Sequence, residues 1–367
     1  MPRPYAPWLL VVMLFHITPA GAAAQDLAAR IDRYLDSEVN KRGIPGLTAA
    51  VVRDGKVIYT GAHGVPKLGA GDRLTPRHVF HFASVSKPFV ATAIMQLVER
   101  GRLNLQDPVA KVLPYFTLAD ERSRAITIRQ ILTHTSGMPD VEDYEWNKPQ
   151  FDDGAAERYV RAMASERLVW APGSRWAYSN MAFDAMAAVI AKVSGLNFER
   201  YVRANILEPL GMKSSSFIHP EIDPAIRTTG HVDSPARVSN VYPYNRRHAP
   251  SSTLNSNVVD MTRWMLANLN RGQLDGQRIL RAATYEALWE PTVETSMQGA
   301  RMGLSWFVGK RAGRRTIFHA GGDTGFRSYL LLLPDDAIGV VLVSNWEGTP
   351  RETLVNGIVD LVLPSAK

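Results

Sequence analysis

Three short motifs in this sequence combine the residue types needed for chemistry at a serine hydroxyl. Ser84 precedes Lys87 by three positions, Tyr178 and Asn180 belong to a Tyr-Ser-Asn segment, and a His-Ala-Gly segment begins at His319. Together they supply a nucleophile, a base, a proton relay and a glycine-rich strand that can hold an acyl group. This set of groups is suited to acyl transfer through a covalent serine intermediate.

The first motif lies where the sequence predicts the start of a helix. Residues three apart share a helix face, so Ser84 and Lys87 are expected side by side. The positive end of the helix dipole favours an alkoxide and a deprotonated lysine, and a buried lysine can act as the base for a serine. Phe82, Val85 and Phe89 predict a semi-buried setting. The alternative is a capping serine with a solvated lysine.

The second and third motifs are expected to face the same cleft. Alternate residues of an extended segment point the same way, which places Tyr178 and Asn180 together. A phenol can relay a proton to the leaving group, and an amide can orient a substrate amide. The glycines after His319 let a substrate lie along the strand, and the Gly322 N–H can join the Ser84 N–H in an oxyanion hole. A core tyrosine, a capping asparagine and a structural histidine are the alternatives.

The elements that must position these residues lie at the two ends of the chain. A hairpin turning at Asp54-Gly55 is predicted from strands at 47–53 and 56–59. Further strands are predicted at 316–319, 328–333 and 338–343. Helices are predicted at 27–42, 88–100, 128–133, 155–164, 181–193, 257–269 and 352–363.

This order predicts an α+β fold, with an antiparallel sheet flanked by the terminal helices and a large, mostly helical insertion. The sheet part covers about 25–102 and 246–367, and the insert about 103–245. Sites in such folds tend to lie in the cleft between the two parts.

Residues 1–24 have the features of a secretory signal peptide. Arg3 is the only formal charge before Asp26, an apolar run covers residues 8–15, and small residues occupy 22–24. The run is too short to span a bilayer. We expect cleavage near Ala24, no membrane span in the mature chain of residues 25–367, and a periplasmic or secreted location in a bacterium. An uncleaved anchor is the alternative.

Composition excludes several other kinds of site. The chain has no cysteine, which rules out thiol nucleophiles and cysteine-ligated metals. Its net charge of +7 is scattered rather than arranged in an aromatic-interleaved stripe, so we expect no nucleic-acid partner. His63, His81 and His134 are isolated, and the sequence contains neither His-Glu-x-x-His nor Gly-x-Ser-x-Gly. We therefore expect no metal site, and the oligomeric state stays open.

Taken jointly, the motifs resemble those of the serine β-lactamase and penicillin-binding protein superfamily. The nearest branch holds class C β-lactamases, D-alanyl-D-alanine carboxypeptidases and related esterases. Segments 131–137 and 172–173 support the likeness, which extends over nearly the whole mature chain. The resemblance implies that Ser84 is acylated, that Lys87 is its base or co-base, and that Tyr178 shuttles protons. It also implies that the Ser84 and Gly322 amides form the oxyanion hole and that no metal or organic cofactor is needed. The residues that it implies for substrate binding are Asn180, His319, Gly321 and Gly322.

The third motif departs from the best-known members of this superfamily, which have Lys-Thr-Gly or Lys-Ser-Gly there. Histidine is mostly neutral at pH 7. The loss of a charged hydrogen bond costs a substrate carboxylate about 2 kcal/mol of binding. Arg327, eight residues after His319, is a candidate replacement for the missing charge.

The sequence thus predicts an exported serine hydrolase acting on an ester or an amide, with D-amino-acid peptides among the candidate substrates. The alternatives are a β-lactamase, or a penicillin-recognising protein that does not turn over.

Overall fold

The structure of the protein is a computed structural model that describes the backbone of residues 19–363. Most of the predicted signal peptide lies outside these described residues. Helices are found at α1 (Pro19–Arg42), α2 (Ser86–Glu99), α3 (Val109–Val112), α4 (Ile128–Leu132), α5 (Ala155–Ala162), α6 (Asn180–Ser194), α7 (Phe198–Val202), α8 (Ala249–Ser252), α9 (Val258–Leu269), α10 (Ala282–Leu288) and α11 (Arg351–Val362). Strands are found at β1 (Gly46–Arg53), β2 (Lys56–Gly64), β3 (Phe80–His81), β4 (His231–Val232), β5 (Arg237–Val238), β6 (Asn255–Ser256), β7 (Gln273–Leu274), β8 (Gln277–Arg278), β9 (Val293–Glu294), β10 (Arg301–Met302), β11 (Phe307–Arg311), β12 (Arg314–Asp323), β13 (Phe326–Leu333) and β14 (Ile338–Ser344).

The main sheet joins the two ends of the chain. Within the described residues it has eight strands in the order β2-β1-β14-β13-β12-β11-β10-β9, and each neighbouring pair is antiparallel. The pairing of β1 with β14 runs from Leu47 opposite Ser344 to Arg53 opposite Ile338. The predicted α+β class with an antiparallel sheet is confirmed.

Local signals in the sequence explain the first elements. Gly43 has φ of 64° after α1, and the N–H of Ile44 reaches back to the Val39 carbonyl at 3.1 Å, as at many helix ends. Asp54 and Gly55 both have positive φ, 49° and 74°, which is the backbone of a two-residue hairpin turn.

The sheet separates two hydrophobic layers. On one face α1 and α11 pack over it, and this core includes Leu35, Leu342 and Val355. The other face carries a larger core shared with α2, α6 and α9, represented by Phe89 and Trp264, whose stacked rings have centroids 3.9 Å apart. The terminal helices therefore cover one face, as predicted.

No single helix in the described part of the chain is long and apolar enough to cross a membrane. A bent pair, Asn180–Ser194 with Phe198–Leu207, reaches the required length and composition only when joined. The first of the two is buried over most of its length in the core of the fold.

One end of β12 extends past its neighbour. Pairing with β11 stops at Phe318, whereas pairing with β13 continues to Asp323 opposite Phe326. Segment 319–323 thus has a strand partner on one side, and among the described residues none on the other. This open edge begins at the third motif and lies beside the chain segment that leads into α2.

Candidate active site

Ser84 lies in a tight turn before α2. Ala83 adopts a positive φ of 49°, which is unusual for a residue with a β-carbon and turns the chain sharply after Phe82. The Lys87 N–H donates to the Ser84 carbonyl at 3.1 Å, and the helix itself begins at Ser86. Ser84 is half-buried, and Lys87 is completely buried. The first motif is therefore held at a helix N-terminus, with its serine at the surface of the site.

The ammonium group of Lys87 has three acceptors. Its Nζ donates to Ser84 Oγ at 3.2 Å, to Asn180 Oδ1 at 2.6 Å and to the Ser251 carbonyl at 2.8 Å, so each of its three hydrogens has a partner. Burial lowers the pKa of Lys87 to about 8, although the negative charges of Asp184, Asp140 and Asp323 act to raise it. A useful fraction of neutral amine is thus present at neutral pH, beside the serine hydroxyl.

Tyr178 completes the group around Ser84. Its ring centroid is 4.8 Å from Lys87 Nζ, and the ring stacks on His134 with centroids 4.1 Å apart. Burial raises the pKa of Tyr178, and a hydrogen bond with Ser84 opposes that shift. The phenol therefore stays protonated at neutral pH and can pass a proton rather than hold a negative charge.

Asn180 is bound to protein groups on both sides of its amide. Its Oδ1 accepts from Lys87, and its Nδ2 donates to Asp140 Oδ1 at 3.1 Å. Ser179 caps α6 by accepting from the Ala182 N–H at 3.0 Å, which fixes where Asn180 points. These contacts give Asn180 a part in holding Lys87. Its expected contact with a substrate amide stays a prediction.

His319 is buried in the sheet, with 1% of its surface exposed. Its Nδ1 lies 2.8 Å from the Ala320 carbonyl, and its Nε2 has no partner among the described residues. Burial, together with the nearby Lys87, lowers the pKa of His319 to about 3, so the ring is neutral. The same two causes disfavour a second cation at this position.

Gly321 packs directly against the segment that carries Ser84. A β-carbon at this position would lie 2.2 Å from the Phe82 carbonyl oxygen and 2.2 Å from Ser328 Oγ. The Ser328 hydroxyl donates to the same Phe82 carbonyl at 2.7 Å. The glycine therefore allows a close approach that fixes the distance between β12 and Ser84. Gly322, the next residue, is exposed on the open edge.

Two arginines lie near the third motif. The predicted Arg327 donates to the carbonyls of Asp323 at 2.9 Å and Phe326 at 2.8 Å. Arg351, which no sequence motif indicated, donates from the start of α11 to the Gly321 carbonyl at 2.7 Å. No local pattern links an arginine to a strand so far upstream. Positive charge is thus present beside β12, although not at position 319.

A buried acid–histidine pair behind Lys87 was also missed. Asp184 Oδ2 and His248 Nδ1 are 2.6 Å apart, and both side chains are fully buried. Asp184 Oδ1 accepts from the Ser251 N–H at 3.2 Å, while the Ser251 carbonyl accepts from Lys87. The only sequence signal was the spacing of Asp184 four residues after Asn180, on one face of α6.

Two of the histidines that were isolated in the sequence, His134 and His81, lie next to the site in the fold. The His134 Nδ1 accepts from the Ser179 N–H at 3.1 Å, and the same ring supports Tyr178. His81 Nε2 lies 2.7 Å from Asp323 Oδ2. Within residues 19–363 no group of three His, Asp or Glu side chains is arranged to hold a metal ion.

The fold and this Ser-Lys-Tyr centre define a family. The chain belongs to the Beta-lactamase family, whose profile matches residues 28–363, and the superfamily indicated by the motifs is confirmed.

Known proteins of several kinds are similar to it. Protein flp of Staphylococcus aureus (strain N315) is 28% identical over 325 residues, which is 87% of this chain and 63% of Protein flp. This chain thus spans less than two thirds of that relative. Esterase EstB of Burkholderia gladioli is 36% identical over 210 residues, 54% of this chain and 53% of EstB. The solved structure of an octameric penicillin-binding protein homologue from Pyrococcus abyssi has a TM-score of 0.82 at 26% identity, covering 91% of this chain and 77% of that one.

Proposed function

We propose that the protein is an exported serine hydrolase that cleaves an ester or an amide through an acyl-enzyme on Ser84. The observation that carries the proposal is the contact of 3.2 Å between Ser84 Oγ and the buried Lys87 Nζ, whose pKa of about 8 makes it a usable base. Burying a charged lysine in the core is costly, so a buried lysine beside a serine hydroxyl indicates a role in catalysis.

The reaction follows from these positions. Ser84 Oγ attacks the carbonyl carbon of the substrate while its proton passes to Lys87. The oxyanion accepts hydrogen bonds from the Ser84 and Gly322 N–H groups. Collapse breaks the bond to the alcohol or amine, which takes a proton through Tyr178, and the acyl group stays on Ser84. Water then attacks this ester, releases the acid and restores the hydroxyl.

Esters are the favoured substrates within this proposal. His319 is neutral and buried, so it gives a substrate carboxylate no charged partner at the position where lysine would supply one. The similarity to a protein named Esterase EstB supports the same preference. D-amino-acid peptides stay candidates, because the open edge of segment 319–323 suits an extended peptide.

The second candidate is a β-lactamase, or a penicillin-recognising protein without turnover. Arg327 and Arg351 favour it, since either cation could attract the carboxylate of a penicillin.

Intact-protein mass spectrometry tests these possibilities. The chain is mixed with p-nitrophenyl acetate and, separately, with a penicillin, beside Ser84→Ala and Lys87→Ala. Lys111→Ala is the matched control, because that lysine is 68% exposed. Ester turnover with little penicillin adduct supports the esterase, and a persistent adduct supports the second candidate. Activity in Ser84→Ala equal to that of the unmodified protein would overturn both.

Export belongs to the same proposal and rests on the sequence of residues 1–24. N-terminal sequencing of the protein recovered from a bacterial periplasm or medium tests it, and an intact Met1 there would contradict cleavage near Ala24.

A further inference from the structure

An aromatic groove of about 400 Å³ lies on the insert, beside the cleft. Its lining includes Trp146, Phe151, His219, Tyr242 and Tyr244, and the other lining residues are also uncharged. Burial lowers the pKa of His219 to about 4, so this ring is neutral too. A neutral, aromatic surface of this kind selects uncharged rings or apolar chains.

The walls of the groove are rigid. The Tyr242 ring stacks on His219 with centroids 3.8 Å apart, and its hydroxyl donates to Asn255 Oδ1 at 2.6 Å. On the other side Trp146 stacks on Tyr144 at 4.6 Å. Stacked rings that are already in place lose little freedom when a ligand binds, which favours binding of a further ring.

One end of the groove reaches the segments that flank Ser84. The Tyr242 ring lies 6.0 Å from His81 and 5.5 Å from Phe326, centroid to centroid. His81 lies three residues before the nucleophile and pairs with Asp323, the last residue of β12. The groove therefore lies next to the segment that precedes Ser84 and next to the end of β12.

We propose that this groove is the acyl subsite, and that it takes an uncharged acyl group ending in an aromatic ring. The proposal rests on the acyl-enzyme proposed above. Within this proposal the acyl part, rather than the alcohol, lies along segment 319–323, whose last residue pairs with His81 next to Tyr242 of the groove. The preferred substrates are then arylalkanoyl esters.

Hydrolysis of two esters with one leaving group tests the assignment. The ratio of kcat/KM for p-nitrophenyl 4-phenylbutyrate to that for p-nitrophenyl acetate is measured in the unmodified protein, Trp146→Ala and Phe151→Ala. Phe151 is 53% exposed, so its replacement carries little risk for folding. We expect the ratio to fall about tenfold in each variant, from the loss of one aromatic contact. Trp170→Ala is the control, because Trp170 is 39% exposed and outside the groove, and its ratio should stay constant.

Binding without catalysis separates this proposal from the proposed function. Calorimetry measures the affinity of Ser84→Ala for 4-phenylbutanamide, which cannot be turned over by that variant. Binding that weakens about tenfold when Trp146→Ala is added supports the subsite even if ester hydrolysis is never observed. Equal ratios in Trp146→Ala and the unmodified protein, or an affinity for 4-phenylbutanamide that Trp146→Ala leaves unchanged, would overturn it.

Discussion

Replacing Gly321 with alanine should separate β12 from the segment that carries Ser84. The added β-carbon would lie 2.2 Å from the Phe82 oxygen, and ordinary contact begins at 3.4 Å, so the two segments must part by about 1.2 Å. A misplacement of about 1 Å at reacting groups can reduce a rate about 100-fold, or about 2.7 kcal/mol in activation free energy. The neighbouring Gly322→Ala should lose less, because its β-carbon meets the ends of flexible arginines.

The assay is the acylation burst with p-nitrophenyl acetate, followed by stopped-flow absorbance in Gly321→Ala, Gly322→Ala and a control. Gly71→Ala is the control, since a β-carbon there has nothing within 4 Å and the position needs no positive φ. Thermal unfolding is measured for each, because overpacking destabilises by about 1–3 kcal/mol. An acylation rate in Gly321→Ala within threefold of the unmodified protein would refute the argument that this glycine sets the site's geometry.

Three further predictions concern charge at the site. With the pKa of Lys87 at about 8, its neutral fraction rises from about a tenth at pH 7 to about nine tenths at pH 9. The value of kcat/KM should therefore rise about tenfold over that range. A flat pH profile would exclude neutral Lys87 as the base. Asp184→Asn removes the charge that most raises the pKa of Lys87, so the rising limb of the same profile should move to lower pH, whereas a purely structural role would lower the rate without moving it. Arg327→Ala should raise KM several-fold for an ester that bears a carboxylate and leave KM for its neutral methyl ester unchanged. An unchanged KM for the carboxylate ester would contradict that role for Arg327.

The sequence predicted the elements whose signals are local. The Asp54-Gly55 turn, the glycine that ends α1 and the period of the helices each depend on a few neighbouring residues. Strands β9–β11 and helix α10 were not predicted. Strands β9 and β10 have two residues each, and β11 contains Gly309, so pairing in the sheet orders these three strands.

The candidate site was predicted as a set of residues and not as a set of contacts. Ser84, Lys87, Tyr178 and Asn180 lie together, but the partner of Lys87 from α8 is a backbone carbonyl, which leaves no trace in the side-chain pattern. The Asp184–His248 pair and the contact of Arg351 with Gly321 join distant parts of the chain, so no local pattern predicts them. Only the packing of the sheet against the insert brings them to Ser84.

The pairing of β1 with β14 has a consequence for the timing of biosynthesis. Ser84 and Lys87 are synthesised early. Strand β12, which lies beside them, and strand β14, which pairs with β1, are synthesised near the end of the chain. Contacts so distant along the chain form late in folding. A nascent chain therefore carries Ser84 and Lys87 before the Gly322 amide is beside them, and on the proposed mechanism hydrolysis begins only when the last strands have joined the first.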